Sequence, residues 1–222
     1  MPQRPLRVLL VDDDPLVRTG LSMILGSTGD ITVVGQAGDG DEVVPKVTAH
    51  APDVVLMDIR MSRMDGLTAT AAVTALASPP KVLVLTTYDL DEYVFDALAA
   101  GASGFLLKEG SPQEIIDAVR VVADGEAMLS PRTTKKLIGH FVAARTNPRR
   151  AMARAGLRTL SEREREIVTA VARGKPNAEI AAELHLSEAT VKTHITRVFA
   201  KLDVANRVQL TIFAYEAGLV TP

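Results

Sequence analysis

Hydrophobic and polar residues follow two spacings in the first 125 residues of the chain. Short apolar, partly β-branched runs between turn-forming residues predict buried strands at 6–11, 31–35, 54–57, 81–85 and 104–107. Between these runs, apolar residues recur every three or four positions and predict helices at 17–25, 39–49, 67–77, 91–100 and 112–124. Five strands that alternate with five helices predict an α/β fold with a doubly wound, five-stranded parallel sheet.

From residue 158 to the end of the chain, the spacing is helical throughout and predicts four helices. Ser161 and Glu164 have the spacing of a capping box at the start of the first. Asn177 and Ser187 are predicted to cap the next two helices, which a tight turn separates. Such a pair predicts a helix-turn-helix, and a last helix at 206–217 completes an all-α, four-helix domain.

The stretch between the two regions has a weaker pattern. Residues 130–142 are predicted to form a helix, whereas 143–156, which carry four arginines, are predicted to be a flexible basic linker. These arginines could touch DNA phosphates, but a solvated linker is the preferred interpretation. The predicted domains are therefore residues 1–125, a partly helical linker at 126–157, and residues 158–222.

The two regions carry charge of opposite sign. Residues 1–125 contain 9 Lys or Arg and 18 Asp or Glu, whereas residues 126–222 contain 16 and 9. A basic domain suits a polyanion such as nucleic acid, and the whole-chain charge of −2 conceals it. The absence of cysteine excludes disulfide and thiolate chemistry and fits a reducing cytosol. With no signal segment and no membrane-spanning apolar run in the sequence, we expect a cytoplasmic protein without a membrane partner.

Four of the predicted strands end in a charged or hydroxyl side chain. Asp12 and Asp13 follow the first strand, Asp58 follows the third, Thr86 follows the fourth and Lys108 follows the fifth. The carboxyl ends of parallel strands converge at one crevice, so these groups should meet. Each of these residues alone could be an ordinary surface residue. Their joint position at neighbouring strand ends is what favours a functional site.

The residue types define the chemistry of that site. Carboxylates without histidine or cysteine form a hard-oxygen site, which Mg²⁺ suits. We expect Asp13 and Asp58 to bind the ion directly and Asp12 to act through water. The Asp58 carboxylate could then attack phosphorus and form an acyl phosphate. Lys108 and Thr86 would each hold a phosphoryl oxygen.

The receiver domain of bacterial two-component response regulators resembles this half of the chain in four motifs: Val11-Asp12-Asp13, Met57-Asp58-Ile59-Arg60-Met61, Leu85-Thr86-Thr87 and Gly101-Ala102-Ser103-Gly104-Phe105-Leu106-Leu107-Lys108. The resemblance implies a flavodoxin-like receiver in which Asp58 accepts a phosphoryl group from a histidine kinase. It implies that the backbone carbonyl of Arg60 is a further Mg²⁺ ligand. It also implies that Phe105 is a switch residue that turns inward when Thr86 is drawn to the phosphoryl group, although a core ring is the plainer alternative.

Two residues depart from the pattern of that family. Ser62 stands where the family usually has proline, which predicts a more mobile loop after Asp58. Glu109 stands where a proline often follows the lysine through a cis peptide bond. Because a non-proline cis bond costs about 3 to 4 kcal/mol, the Lys108–Glu109 bond is predicted to be either strained or trans.

The third helix of the second domain has a polar face with bases and no acid. Its apolar residues are predicted to face the core, and the other side carries Lys192, Thr193, Thr196, Arg197 and Lys201. An isolated helix of this kind would be an ordinary amphipathic helix with a solvated face. In second position of a helix-turn-helix, the same face suits the major groove of DNA.

Three motifs of this region resemble the LuxR-type output domain: Leu160-Ser161-Glu162-Arg163-Glu164, Asn177-Ala178-Glu179-Ile180-Ala181 and Thr190-Val191-Lys192-Thr193-His194. A receiver joined to such a domain is typical of the NarL/FixJ family of transcriptional regulators. The resemblance implies base contacts from Lys192, Thr193 and Thr196, and contacts to the DNA backbone from three further residues, Thr190, Lys201 and Arg207. His194 is expected to be a half-buried structural residue.

The last helix has apolar residues on two sides. One side, with Val208, Ile212 and Tyr215, is predicted to be exposed and to pair with a second copy of the chain. The resemblance also implies a homodimer on DNA.

These features predict a transcriptional response regulator that is activated by phosphorylation of Asp58, dimerises, binds promoter DNA and is not a turnover enzyme. Three alternatives stay open. The receiver could be a phosphorylation-independent scaffold, or the output domain could bind protein. Asp12 and Asp14 also imitate the Asp-x-Asp of haloacid-dehalogenase-like, Mg²⁺-dependent phosphatases.

Overall fold

The computed structural model describes residues 4–86, 96–129 and 147–220. They form two compact units, Met1–Ser130 and Pro131–Pro222, and each unit has its own hydrophobic core. Within the described ranges, no helix is both long enough and apolar enough to cross a membrane.

The first unit is built on a parallel sheet of six strands, which are β1 (Leu6–Val11), β2 (Ile31–Ala37), β3 (Val54–Met57), β4 (Lys81–Thr86), β5 (Gly104–Leu107) and β6 (Met128–Leu129). Their spatial order is β2-β1-β3-β4-β5-β6, and all neighbours pair in parallel. The predicted doubly wound sheet is confirmed. The structure adds β6, whose two residues are too few to show a hydrophobic period.

Within the described residues, four complete helices accompany this sheet: α1 (Pro15–Gly26), α2 (Val43–His50), α3 (Gly66–Thr74) and α4 (Pro112–Ala123). Side chains of Asp14, Asp65 and Ser111 cap α1, α3 and α4 by accepting backbone N–H bonds. A single 3₁₀ turn, Gly40–Glu42, leads into α2. Of the helix predicted at 91–100, residues 96–99 are helical and residue 100 lies in a turn, whereas residues 91–95 lie outside the described residues.

The central strands β3 and β4 are buried along nearly their whole length. All four residues of β3 are buried, and so are five of the six residues of β4. Helices on the two faces of a parallel sheet leave no face for solvent, which explains why the strands are continuous apolar runs. Polar side chains that must reach solvent or a ligand are therefore confined to the strand ends.

The second unit contains five described helices: α5 (Asn147–Leu157), α6 (Glu162–Ala172), α7 (Asn177–Leu184), α8 (Glu188–Leu202) and α9 (Arg207–Ala217). Ser161 and Glu164 form the predicted capping box of α6. The predicted cap of α7 is wrong, because Pro176 is the N-cap residue and Asn177 is already helical. A left-handed His185 ends α7 just before α8, which gives the tight turn of a helix-turn-helix.

Helix α5 occupies most of the stretch for which a flexible linker was predicted. It packs against α9, where a Cβ on Gly156 would lie 3.0 Å from the ring of Phe213. Ala153 is buried, and Leu157 packs against the core of the unit. The small residues that let α5 approach α9 closely carry little hydrophobic signal among the arginines, so the pattern did not indicate a helix. The helix predicted at 130–142 lies outside the described residues.

Candidate functional site

The polar ends of four neighbouring strands lie along one edge of the first unit's sheet. Asp12 and Asp58 directly follow the adjacent strands β1 and β3, and the Asp58 N–H donates to the Val11 carbonyl at 2.9 Å. Thr86 is the last residue of β4, and its carbonyl accepts the Lys108 N–H at 2.8 Å. The parallel register therefore places these groups at one crevice, as the sequence predicted.

Lys108 bridges two carboxylates of this acidic site. Its Nζ lies 2.6 Å from Asp12 Oδ2 and 3.1 Å from Asp58 Oδ1. Burial acts to lower the pKa of Lys108, but the hydrogen bond with Asp12 and the charges of Asp58 and Asp12 outweigh burial and raise it. Burial raises the pKa of Asp58 and the charge of Asp12 adds to this, against the opposing effect of Lys108. The amine is therefore held as an ammonium ion beside the Asp58 carboxyl group.

The carboxylates fit a hard divalent cation. One oxygen each from Asp12, Asp13 and Asp58 can be chosen so that all three lie within 4.8 Å of one another. Asp12 and Asp58 are buried, whereas Asp13 is exposed, so the cluster opens to solvent on one side. An oxygen-only set with an open side suits Mg²⁺, which keeps several of its waters. The fit supports the predicted ligands without showing an ion.

The predicted switch residues are both buried. Thr86 is 1% exposed at the end of β4, and Phe105 is 1% exposed within β5. A buried ring fits an inward switch position and an ordinary core position equally, so the predicted role of Phe105 stays a prediction. The Lys108–Glu109 peptide bond is trans, which decides between the two predicted geometries.

The loop that follows Asp58 is held by a residue that the sequence analysis did not single out. Asp39, only 2% exposed, accepts hydrogen bonds from the backbone N–H groups of Arg63 and Met64 at 3.0 and 2.9 Å. The Arg63 side chain also pairs with Asp41 at 2.7 Å. These bonds restrain the loop, although position 62 lacks the proline that is usual in the family. The available signal was the aspartate before a glycine, which is typical of a turn.

In the second unit, the face of α8 that was predicted to contact DNA bases is partly exposed to solvent. Ser187 caps the helix, and its side chain accepts from the Thr190 N–H at 3.1 Å. Thr193 and Thr196 are exposed, whereas Thr190 and Lys192 are half-buried. His194 is half-buried, as expected. These four predicted contacts and the fifth, Lys201, all lie on the one continuous helix that follows the turn.

Lys201 forms an ion pair inside the unit rather than standing free. Its Nζ lies 2.8 Å from both carboxylate oxygens of Glu164, the buried acid of the α6 capping box. The hydrogen bond from Lys201, with that from the Ser161 N–H, lowers the pKa of Glu164 to about 2. A lysine held in this way has an intramolecular role, which the charge pattern alone did not reveal.

The prediction that Arg207 contacts the DNA backbone does not fit its position. The residue is 6% exposed, and its guanidinium donates to Asn177 Oδ1 at 2.9 Å and to the Lys175 carbonyl. Its planar group of donors thus ties the start of α7 to the start of α9. A buried arginine with fixed acceptors holds the helix-turn-helix together, and we do not retain it as a phosphate contact.

The apolar side of α9 that was predicted to be exposed is partly covered. Val208 is 5% exposed and is therefore not the surface residue that the sequence predicted. Ile212 and Tyr215 are half-buried. Helix α5, which the sequence analysis did not predict, gives α9 a partner within the same unit. Only Ile212 and Tyr215 remain candidates for dimer contacts.

Two protein families match the chain. Residues 8–120 match the response regulator receiver domain, and residues 158–214 match the bacterial regulatory proteins of the luxR family. The chain belongs to the response regulators. It has a receiver domain and a LuxR-type DNA-binding domain, which confirms the predicted function as a transcriptional regulator of a two-component system. The family comprises transcription regulators rather than turnover enzymes, so the phosphatase alternative finds no support.

Full-length relatives of this response regulator include two bacterial regulators. The transcriptional regulatory protein LiaR of Bacillus subtilis is 40% identical over 215 residues, which cover 97% of this chain and 99% of LiaR. The response regulator protein VraR of Staphylococcus aureus is 38% identical over 216 residues, with 97% and 99% coverage. Among solved structures, the response regulator ChrA of a heme-sensing two-component system has a TM-score of 0.53 and 38% identity, with 98% and 100% coverage.

Proposed function

We propose that a histidine kinase phosphorylates this response regulator on Asp58 in the presence of Mg²⁺, and that phosphorylation promotes dimerisation on promoter DNA. The observation that carries the proposal is the position of Lys108, whose ammonium group contacts both Asp12 and Asp58 beside the third carboxylate, Asp13. A solvated acidic turn would have neither a buried carboxylate nor a lysine from another strand end.

Asp58 supplies the nucleophile of the proposed reaction. A carboxylate oxygen forms a bond to phosphorus while the bond between phosphorus and the imidazole nitrogen of the donor breaks. The released nitrogen takes up a proton from solvent. Lys108 already contacts Oδ1 of Asp58, so its ammonium group is within reach of a phosphoryl group attached there. The Thr86 hydroxyl, at the end of the neighbouring strand, would hold a second phosphoryl oxygen.

The proposed Mg²⁺ ligands are Asp13, Asp58 and the backbone carbonyl of Arg60, with Asp12 acting through water. When bound, the ion neutralises charge on the phosphoryl oxygens and so lets two anions approach each other. The ligand set rests on the close spacing of the three carboxylates. The proposed donors are all oxygen atoms, which agrees with the preference of Mg²⁺.

The proposed output is a two-state switch. Thr86 closes on the phosphoryl group, and Phe105 follows it inward, which changes the surface around β4 and β5. Two copies then place their α8 helices in successive major grooves, on half-sites about one helical turn or a multiple apart. We assign base contacts to Lys192, Thr193 and Thr196, a backbone contact to Thr190, and dimer contacts to Ile212 and Tyr215.

The proposed domain limits separate the phosphorylation site from the DNA-binding helices. Residues 1–125 form the receiver and residues 158–222 the DNA-binding domain. Residues 126–157 connect them and include α5. The promoter DNA and the kinase domain that such a switch requires are both in the cytoplasm, where we place the protein.

A small phosphodonor tests the proposal. Wild-type protein, Asp58→Ala and Asp117→Asn would be treated with acetyl phosphate and Mg²⁺. Intact mass, molecular size and binding to promoter DNA would be measured before and after. Asp117 is a matched control because it is a half-exposed aspartate on α4, away from the strand ends. We expect wild type and Asp117→Asn to gain one phosphoryl group, to dimerise and to bind DNA more tightly, whereas Asp58→Ala does none of these.

The opposite result would favour the scaffold alternative. If no phosphoryl adduct forms, and Asp58→Ala binds DNA as tightly as treated wild type, the receiver does not act through Asp58. An adduct that persists in Asp58→Ala would place the phosphoacceptor on another residue.

A further inference from the structure

The loop that carries the residues after Asp58 is closed at its base by direct backbone contact. The N–H of Gly66 donates to the Ile59 carbonyl at 2.8 Å. A Cβ on Gly66 would lie 1.8 Å from the Asp58 carbonyl oxygen, so no larger residue fits there without moving the loop. The first residues of the loop, including Arg60, are thereby fixed at one end.

The far end of the same loop is held by Asp39, which lies after β2. One of its oxygens accepts from the N–H groups of Gly40 and Met64 at 2.8 and 2.9 Å, and the other accepts from Arg63 N–H at 3.0 Å. A Cβ on Gly40 would come within 2.4 Å of the Met64 carbonyl oxygen, so the two segments are packed backbone to backbone. Burial acts to raise the pKa of Asp39, but these three backbone donors lower it, and the group stays ionised.

We propose that Asp39 is a positioning residue of the phosphoacceptor site, which holds the 59–65 loop so that the backbone carbonyl of Arg60 is presented to Mg²⁺. The inference rests on the proposed metal-dependent phosphorylation of Asp58. Asp39 touches neither the metal nor the phosphoryl group. It acts through the backbone of the loop between Asp58 and Gly66. Gly66 closes the base of this loop, and Asp39 holds the loop backbone near its C-terminal end.

The alternative is that Asp39 only starts the 3₁₀ turn at Gly40–Glu42, whose N-cap it is. A pure capping role would change the stability of the first unit and leave its affinity for Mg²⁺ unchanged. Residues that orient a metal ligand without contacting the metal themselves change metal affinity by roughly 10-fold or more when they are removed. Metal affinity therefore separates the two roles, and stability does not.

The chain supplies a matched control for this test. Asp41 also lies on the 3₁₀ turn and pairs with the Arg63 side chain at 2.7 Å, but among the described residues it bonds to that side chain and not to the loop backbone. Asp41→Ala removes a carboxylate of the same type and a larger share of the side-chain ion pairing of Arg63. Asp39→Ala removes the backbone bonds.

The experiment measures Mg²⁺ binding to the full chain by isothermal titration calorimetry for wild type, Asp39→Ala, Asp39→Asn and Asp41→Ala. We expect Asp39→Ala to weaken Mg²⁺ binding about 10-fold and Asp41→Ala to leave it within about twofold. Hydrogen exchange in peptides that cover residues 59–66 should accelerate in Asp39→Ala only. Should Asp39→Ala fail to fold, Asp39→Asn keeps the shape and one acceptor oxygen and should show a smaller loss of affinity.

The Mg²⁺ concentration for half-maximal phosphorylation by acetyl phosphate should shift by the same factor as the calorimetric affinity. Wild-type affinity for Mg²⁺ in the folded Asp39 variants would overturn the inference, and so would an equal loss of affinity in Asp41→Ala. If wild type binds Mg²⁺ but never gains a phosphoryl group, the proposed function fails while calorimetry still decides the role of Asp39.

Discussion

Glu164→Gln tests the ion pair that joins α6 to α8 in the DNA-binding domain. The Glu164 carboxylate accepts from Ser161 N–H at 2.8 Å and from Lys201 Nζ at 2.8 Å with each oxygen. The substitution keeps an oxygen for the capping bond, and it removes the negative charge and one of the two oxygens that accept from Lys201. It therefore isolates the contribution of the Lys201 pair from that of the helix cap.

The lowered pKa of Glu164 sets the size of the expected effect. A shift from its ordinary value of 4.5 to about 2 corresponds to about 3 kcal/mol, at 1.36 kcal/mol for each pKa unit. Part of this shift comes from the hydrogen bond of the Ser161 N–H, which glutamine keeps. The Lys201 side chain is also 43% exposed, so solvent screens part of its interaction with Glu164. We expect Glu164→Gln to lower the free energy of unfolding of this unit by about 1 to 2 kcal/mol at pH 7.

The pH dependence of this difference has a defined sign. Because the folded-state pKa lies below the unfolded-state value, the carboxylate stabilises the fold fully above pH 4.5 and loses its contribution as the pH falls through about 2. Glutamine does not titrate. The free energies of unfolding of wild type and Glu164→Gln should therefore converge between pH 4.5 and about 2.

Urea titrations read by pulsed hydrogen-exchange mass spectrometry would measure this difference, since peptides of the second unit are followed separately. Glu166→Gln is the control, because Glu166 pairs with Arg163 on the same helix and is 47% exposed. It should change the free energy of unfolding by less than about 0.5 kcal/mol. A loss in Glu164→Gln no larger than that, or one that persists at pH 2, would refute the reasoning.

Four further substitutions test other parts of the structure. Ala51→Gly should raise the melting temperature of the first unit, with a gain of roughly 1 kcal/mol, because Ala51 ends α2 in the left-handed region at φ 41°. Gly66→Ala should abolish phosphorylation, as read by intact mass, since the added Cβ would lie 1.8 Å from the Asp58 carbonyl oxygen. Arg207→Met should destabilise the second unit by about 3 kcal/mol in denaturant titrations, because two acceptors of its guanidinium lose their donor. Lys192→Ala should weaken binding to the promoter sequence by about 1 to 3 kcal/mol and relax specificity at the contacted base pair, as read by comparing affinities for promoter DNA and for single-base variants of it.

The sequence by itself determined the sheet, the order of its strands' polar endings and the class of the protein. Buried parallel strands require uninterrupted apolar runs, so polar groups such as Asp58 and Lys108 could stand only at strand ends. Parallel pairing then brings those ends to one edge, which is why a linear pattern could predict a three-dimensional cluster. Helix caps such as Ser161 with Glu164 were equally readable, because their partners lie three residues apart.

The tertiary structure alone decided which charged residues face inward. Lys201 lies 37 residues from Glu164, and Arg207 lies 30 residues from Asn177. A basic residue on a helix face has the same sequence pattern whether it meets a DNA phosphate or an acceptor of its own domain. Asp39 was missed for the same reason, since the backbone donors it binds lie 24 and 25 residues away.

Helix α5 shows the limit of hydrophobic pattern in the same way. Its alanines and glycine bury little area each, and its arginines made the segment read as a linker. Only the presence of α9 makes those small residues useful, because they allow close contact that a larger side chain would prevent. The spacing of apolar residues along the chain reflects interactions between near neighbours in sequence. Contacts between distant segments depend on where the whole fold places them.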